Sequence, residues 1–401
     1  MSRVSVGLQS DNPGLEPLAY HRQVVAYLKA AEPAVWAWAS SLGVQEQHAR
    51  ELRADLLRET YRLTPDSHGP VYAACETVMA RLGLSAETTL YQAGDGAMNA
   101  QLRFLPGEAH VVFHGPVLER LDEGELAALL GHELSHYGLW SADGGDFHTA
   151  ARILDHTLAD PGASPSHIET ARLYSLHTEL FADRGGALAA GEAGPAISTL
   201  VKVQTGLASV DPAAYLGQAG ELEAADASVS QAYSHPEIYL RAQAIDKWWR
   251  RDPDLEAWLR RRLHGPLSLD RFDLSDQQAL TALTRRFIAR FLADEELQSD
   301  TVLTQVRAYF PDWTAAEPAA ADDELTPERI DDSVRGYLNY VMLDLAIADP
   351  DTRDHALARA LRQAQAMGGK DAFLAALKAD AGLPKSEITS LSRGLGKGGA
   401  R

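Results

Sequence analysis

The 401-residue chain contains a single cysteine, Cys75. One thiol excludes an internal disulfide and any zinc site built from several cysteines, and it fits a reducing compartment. The chain also lacks a run of about 18 uninterrupted apolar residues, so no transmembrane helix is predicted. Residues 1–16 hold one arginine and no apolar core, which argues against a secretory signal. We therefore predict a cytoplasmic protein with no integral membrane segment.

Positive charge is scarce. The chain has 37 lysines and arginines against 56 aspartates and glutamates, which gives a formal net charge of −19. Nucleic acids and anionic membrane surfaces repel such a protein, so neither is expected as a partner. The acidity itself is adequately explained by solubility. The length predicts about two or three domains with ample core.

The most informative segment is 128–140, with the sequence ALLGHELSHYGLW. It contains H-E-x-x-H, formed by His132, Glu133 and His136. Two histidines four residues apart lie on one face of a helix, so both imidazoles can reach one metal ion. Glu133 can then stand beside a water molecule at the metal and accept its proton. The pattern predicts zinc-assisted hydrolysis, most simply of a peptide bond.

The sequence around this motif favours a buried helix. Asp122 is a suitable N-cap, and Glu125 three residues later completes a capping box. Four leucines then recur at helical spacing and predict a buried stripe: Leu126, Leu129, Leu130 and Leu134. Two histidines and a glutamate on such a helix need partners, because unsatisfied buried polar groups are costly.

A catalytic zinc usually has three protein ligands, and the third is sought downstream. Glu179 and Asp183 are four residues apart on a second predicted helix and share a face. Glu179 could ligate the metal, and Asp183 could accept the N–H of a ligating histidine. The remaining histidines are given lesser roles: His148 and His156 are ordinary polar residues, His177 is structural or exposed, and His114 has no assigned partner.

The fold class predicted is α+β and mainly helical. Residues 17–83 follow a helical pattern, and the segments 88–92, 101–105 and 110–113 predict a small antiparallel sheet. The second metal-binding helix is expected from about 166 to 183, ending at Gly185 and Gly186. The acidic Ala/Pro run near 314–324 predicts a linker, and the tail from 394 is expected to be disordered.

Three blocks together resemble the M48 group of zinc peptidases, which includes the HtpX-type enzymes. They are H-E-L-S-H at 132–136, E-L-F-A-D at 179–183, and S-H-P at 234–236 followed by Arg241. Asn99-Ala100 and the strand leading to Gly115 also resemble the family. The similarity covers about residues 70–250. The chain differs from the family in two ways: its segment 141–165 is polar, and a long helical region follows residue 263.

The resemblance implies a role for each matching position. One zinc ion per chain would be bound by His132, His136 and Glu179. Glu133 would be the general base, and His235 would approach the open metal position or the substrate carbonyl. Asp183 would orient a ligating histidine, and Arg241 would anchor its own segment to a carboxylate.

The resulting domain prediction is a helical N-terminal region at 1–85, a zincin-like metallopeptidase core at 86–262, and a helical C-terminal region at 263–401. A peptide could pair with an exposed strand edge near 110–113.

The leading functional hypothesis is a soluble zinc endopeptidase acting on proteins or peptides. The alternatives are a zinc-containing binding or chaperone-like protein, or a latent protease released by a partner. The C-terminal helices could bind such a regulatory partner. Histidine and carboxylate ligands also accept divalent metals other than zinc.

Overall fold

The computed structural model describes residues 15–94 and 96–395. The expectations for residues 1–16 and for the tail from 394 fall mostly outside these ranges. The chain divides into two compact units, Met1–His264 and Gly265–Arg401. It is mainly helical and contains one small sheet. The division into three regions at 85 and 262 stays a prediction.

The first unit contains twelve α-helices among the described residues. They are α1 (Ala19–Ala31), α2 (Pro33–Ala39), α3 (Leu42–Glu59), α4 (Gly69–Leu82), α5 (Val117–Arg120), α6 (Glu123–Ser141), α7 (Asp146–Ala159), α8 (Pro165–Ala190), α9 (Ala193–Thr205), α10 (Pro212–Ala225), α11 (Ile238–Trp249) and α12 (Leu255–Leu263). α4 is capped by Gly83, where the predicted helical pattern also ends; its φ of 66° suits a left-handed C-cap.

The sheet has four strands: β1 (Tyr61–Arg62), β2 (Glu87–Gln92), β3 (Asn99–Leu105) and β4 (Glu108–His114). Their order is β1-β2-β4-β3. β3 and β4 form an antiparallel hairpin, but β2 and β4 run parallel. The prediction of an antiparallel sheet was therefore wrong. An alternation of apolar and polar residues identifies a strand. It does not tell which strands are neighbours, and here β4 lies between β2 and β3.

The predicted peptide-binding edge at 110–113 was also wrong. This segment belongs to β4, which hydrogen-bonds to β2 on one side and to β3 on the other. The edge on this side of the sheet is β3. The burial pattern explains the error, because β4 is buried at five consecutive positions whereas β3 alternates between exposed and buried positions over its first six residues. A continuous apolar run is typical of a central strand.

Helices cover both faces of the sheet. One face carries Leu90, Leu102 and Phe113, which pack in one cluster with residues of α4 and α6. On the other face, Tyr91 and Val112 meet Leu56 of α3. α6 therefore packs against one face of the sheet, and β3 lies close to the H-E-x-x-H segment.

α6 begins as predicted. The Asp122 side chain accepts a hydrogen bond from the Glu125 backbone N–H at 2.9 Å, and the Glu125 side chain accepts one from the Asp122 N–H at 3.0 Å. Leu129, Leu130 and Leu134 are buried, and Leu126 is half-buried against the same cluster. The capping box is thus confirmed, and the predicted leucine stripe is buried at three of its four positions.

α8 does not end at Gly185 and Gly186, contrary to prediction. It continues to Ala190 and is capped by Gly191 at φ 83°. The glycine pair instead allows α8 to cross α6 closely. A Cβ on Gly185 would lie 1.6 Å from Ser135 Oγ, and one on Gly186 would lie 2.8 Å from the Ala128 carbonyl oxygen. The two glycines therefore allow close helix packing and do not mark the end of α8.

The second unit is a bundle of six α-helices among the described residues. They are α13 (Leu274–Phe291), α14 (Asp300–Tyr309), α15 (Asp332–Ile347), α16 (Arg353–Ala366), α17 (Lys370–Ala379) and α18 (Lys385–Leu395). The predicted linker near 314–324 lies inside this unit. Ala320 within it is buried and donates its backbone N–H to the Arg286 carbonyl at 3.0 Å.

Across residues 15–94 and 96–395, no helix combines the length and the apolar character needed to cross a lipid bilayer.

Gly185→Ala should destabilise the protein, because Ser135 Cβ would lie 2.6 Å from the new methyl carbon and cannot rotate away. We expect the free energy of unfolding to fall by about 1–3 kcal/mol in urea titrations. Gly217→Ala is the matched control. Gly217 is exposed within α10 with nothing within 4 Å of an added Cβ, so alanine should be neutral or stabilising. Equal stability of the two variants would contradict the close helix crossing.

Candidate metal centre

The two histidines of the motif converge as their spacing predicts. His132 and His136 lie one turn apart on α6, with their Nε2 atoms 3.3 Å from each other. The His136 ring stacks on Trp140 with ring centroids 5.4 Å apart. Both ring nitrogens therefore point to one location, which the Trp140 side chain borders.

Glu179 reaches the same location from α8. Its Oε2 lies 3.5 Å from His132 Nε2, and its Oε1 lies 3.6 Å from His136 Nε2. The ligand atoms of the three residues all lie within 4.8 Å of one another. A tetrahedral ion with bonds of about 2.0–2.1 Å holds its ligand atoms roughly 3.3 Å apart, so this set fits a divalent metal.

Asp183 and Arg241 stand behind the three residues. Asp183 Oδ1 lies 3.0 Å from His132 Nδ1, so the outer nitrogen of that ring is engaged and Nε2 faces Glu179. Arg241 donates from Nη2 to Asp183 Oδ1 at 2.6 Å and from Nε to Oδ2 at 2.8 Å. Its Nη2 also lies 3.2 Å from Glu179 Oε2. One guanidinium thus links α11 to two carboxylates of α8.

Glu133 occupies the side of α6 that faces the sheet. Its Oε2 accepts a hydrogen bond from the backbone N–H of Leu102 at 2.7 Å. This tie between the carboxylate and the edge strand β3 escaped the sequence analysis. No sequence signal could have revealed it, because the donor is a main-chain group whose position depends on the strand order.

His235 lies in the loop before α11, with its Nε2 3.6 Å from Glu179 Oε1. Its side chain is 62% exposed, unlike those of His132 and His136. His235 Nδ1 lies 2.9 Å from the Ser234 hydroxyl. The structure therefore brings His235 to the rim of the site, where it can meet a molecule entering from solvent.

Two residues of α8 fasten this loop. Arg172 donates from Nη1 to the Ala232 carbonyl oxygen at 2.9 Å, and Ser175 donates to the Ser234 carbonyl oxygen at 2.9 Å. Arg172 is itself held by Glu169 through two hydrogen bonds of 2.7 and 2.8 Å. Neither residue was predicted as part of the site, although their three-residue spacing puts them on one face of α8.

Burial and charge set the protonation of the site. Burial alone lowers the pKa of a histidine, but the hydrogen bonds to Asp183 and Glu179 prevail and raise the pKa of His132 to about 10. Burial lowers the pKa of His136 to about 4. The carboxylates thus create a potential that favours a cation at His132, and a metal ion binding there would displace the proton.

The site carboxyl groups fall into two kinds. Burial opposes ionisation of Glu179, but Arg241 and His132 hold its pKa below its ordinary value. Burial raises the pKa of Glu133 above its ordinary value, and no arginine bonds to its carboxylate among the described residues. Glu179 is therefore suited to remain charged, and Glu133 is suited to exchange a proton.

The other histidines lie outside the ligand set. His177 is buried, with its Nε2 3.0 Å from His264 Nε2, so it is structural rather than exposed. His148 packs on Phe104 with ring centroids 4.5 Å apart, and His156 packs against Trp38. His114 lines the cleft at the end of β4.

A cleft of about 680 Å³ contains the converging residues. Most of its lining comes from five elements of the first unit, β3, α6, α7, α8 and α9, and the rest comes from the loop before β3, His114, His235 and Arg241. Such a volume suits several residues of an extended chain or a small ligand.

Arg241→Ala should destabilise the metal-free protein strongly, because Asp183 and Glu179 would remain buried without their shared cation. We expect a loss of about 3–5 kcal/mol in the free energy of unfolding, measured by urea titration with a chelator present. Arg250→Ala is the control, since Arg250 forms an exposed ion pair with Asp246 and should cost less than about 1 kcal/mol. Similar losses for both variants would contradict the role given to Arg241.

Comparison with known proteins adds an independent finding. A family model described as Peptidase family M48 matches residues 66–139, from the turn before α4 through most of α6, including H-E-x-x-H. The chain is also similar to the "Plastoglobule-localized metallopeptidase 48, chloroplastic" of Arabidopsis thaliana. The two are 31% identical over 204 residues, which is 46% of this chain and 57% of that protein. The chain thus matches little more than half the length of this relative.

No solved structure gives a significant match to the chain. The family match ends at Leu139, so Glu179, Asp183, His235 and Arg241 lie beyond it and are associated with the motif by the geometry described above. Over residues 66–139 the chain is thus similar to peptidase family M48, and over 204 residues it is similar to a plant protein whose name describes a metallopeptidase.

Proposed function

We propose that the chain is a zinc-dependent endopeptidase, with His132, His136 and Glu179 as the three protein ligands of one zinc ion. The observation that carries the proposal is the convergence of their ligand atoms within 4.8 Å. Two imidazoles and one carboxylate are a donor set used by catalytic zinc, which keeps a fourth position open. The chemistry that zinc supplies when bound is polarisation of a carbonyl group and activation of a water molecule.

Glu133 is the general base in this proposal. It takes a proton from the attacking water as the water oxygen joins the carbonyl carbon, and it passes that proton to the leaving nitrogen as the C–N bond breaks. The burial that raises its pKa supports this role. The Leu102 N–H holds the carboxylate at the edge of β3, beside the place where a substrate strand would lie.

Asp183 and Arg241 orient the ligands. Asp183 accepts the Nδ1–H of His132, so the lone pair of Nε2 is directed to the metal, and Arg241 keeps both carboxylates ionised. His235 donates a hydrogen bond to the substrate carbonyl oxygen as negative charge develops there. Its exposure at the rim and its distance of 3.6 Å from Glu179 support this assignment.

The substrate in this proposal is a protein or peptide in extended form. β3 lies at the sheet edge and contributes Asn99, Ala100, Gln101 and Leu102 to the cleft wall. An extended peptide can add to such an edge through main-chain hydrogen bonds. The arrangement of a zincin, with an edge strand above the metal helix, is part of the proposal. A cytoplasmic location and a partner for the second unit stay predictions.

Metal content tests the ligand set directly. Purified wild type should contain about one zinc ion per chain by elemental analysis, and Glu179→Ala should contain much less because one of three protein ligands is removed. Glu76→Ala is the control, since Glu76 is exposed on α4 away from the cleft. A folded, zinc-supplemented wild type without metal would exclude the proposed centre.

Activity of Glu133→Gln tests the chemistry. The variant should keep its zinc but lose about 100- to 10,000-fold in kcat/KM on an unfolded protein substrate, because the amide cannot accept the proton. Glu123→Gln changes an exposed carboxylate of the same helix and should cleave like wild type. Wild-type cleavage by Glu133→Gln would refute the assigned base. A zinc-loaded wild type that cleaves no peptide would favour the alternative of a binding or chaperone-like protein.

A further inference from the structure

One wall of the cleft is formed by a single face of α9. The four residues that line it recur at positions i, i+3, i+4 and i+7, so they form one stripe: Ala196, Thr199, Leu200 and Val203. α6 contributes Ala128 and Leu129 beside this stripe, and α8 contributes Gly186. Leu129 lies one turn before Glu133 on the same helix, so this wall adjoins the catalytic carboxylate.

The stripe is held rigidly relative to the metal helix. The buried Glu125 side chain of α6 accepts hydrogen bonds from Ser198 Oγ and from Lys202 Nζ, both at 2.6 Å. Thr199 Oγ1 donates to the Glu125 backbone carbonyl at 3.1 Å. Glu125 precedes His132 by about two helical turns. α9 therefore cannot shift without breaking a buried ion pair in the first turn of α6.

The chemistry of this wall is apolar. No charged side chain of α9 lines the cleft, because Lys202 is turned away to Glu125. The Thr199 hydroxyl is already used as a donor, so the residue contributes chiefly its methyl group. A charged substrate side chain placed here would lose its water without gaining a partner, whereas an aliphatic side chain would gain by burial.

The part of the lining that comes from α7 and α8 is mixed. It includes the largely apolar residues Ala151, Leu154, Ala171 and Tyr174, together with the polar side chains of Asp155 and Ser175. The Thr178 hydroxyl donates to the Tyr174 carbonyl oxygen at 2.8 Å, so this residue, like Thr199, contributes chiefly its methyl group. Unlike this part of the lining, the stripe of α9 carries no charged side chain.

We propose that the stripe of α9 is the subsite for a large aliphatic side chain next to the scissile bond, and that Leu200 and Val203 determine this specificity. The proposal rests on the proposed peptidase function and adds a substrate class to it. Substrates would carry leucine, isoleucine or methionine at one position flanking the cut.

The test compares cleavage sites and rates. A library of peptides from a denatured proteome is digested with the zinc-loaded full chain, and the products are identified by mass spectrometry. We expect large aliphatic residues to be enriched at one flanking position. A pair of peptides that differ only by leucine or alanine at that position should differ at least about 10-fold in kcat/KM.

Leu200→Trp should lower this leucine-to-alanine ratio by about 10-fold or more, because the indole fills the subsite. Leu207→Trp is the control, since Leu207 is 53% exposed and does not line the cleft, and it should keep the wild-type ratio. If Leu200→Trp does not fold, Leu200→Ala replaces it and should shift the preference from leucine towards phenylalanine. Zinc content and thermal melting are measured for every variant.

The outcomes separate the two proposals. Cleavage by wild type with no aliphatic preference, or a preference unchanged in Leu200→Trp and Leu200→Ala, would overturn the subsite and leave the peptidase intact. Absence of cleavage by a zinc-loaded wild type would overturn the peptidase, and the subsite with it. An aliphatic preference that both Leu200 variants alter and Leu207→Trp preserves would establish the subsite.

Discussion

The close crossing of α6 and α8 is the constraint on which the site depends. Gly131 on α6 and the pair Gly185 and Gly186 on α8 remove the side chains that would hold these helices apart. A Cβ on Gly131 would lie 2.3 Å from Ala189 Cβ and 2.8 Å from the Gly185 carbonyl oxygen. Because the ligands of the candidate centre come from these two helices, their spacing sets the spacing of the ligand atoms. Backbone packing thus sets the spacing of the three candidate ligand residues before any charged group acts.

The buried charges depend in turn on this packing. Arg241, Asp183 and His132 form a continuous chain of hydrogen bonds that joins α11, α8 and α6. Such a chain is stable only where each member keeps its partners, since an isolated buried charge is expensive. The same groups that direct His132 therefore also bind a third helix to the crossing pair. In this region, the contacts that hold the three helices together are also the contacts that orient His132.

Much of the candidate site could be predicted from sequence because its signals are local. The capping box at Asp122 and the four-residue spacings of His132–His136 and Glu179–Asp183 depend only on helical geometry. The strand order could not be predicted, because the insertion of β4 between β2 and β3 is decided by burial on both faces. The end of α8 was mispredicted at Gly185 and Gly186 for a related reason. Glycine is typical both of a helix end and of a close crossing, and only the neighbouring helix distinguishes the two.

The open side of β3 also has a consequence for the behaviour of the protein in concentrated solution. A strand edge that can accept a peptide is equally a template for another strand, and unprotected edges of this kind promote self-association. The exposed residues of β3 are polar, with Asn99, Gln101 and Arg103 pointing away from the core. A charged and amide-rich edge resists pairing with a second copy while its main chain stays accessible. The composition of this strand thus disfavours self-association and leaves its main chain accessible.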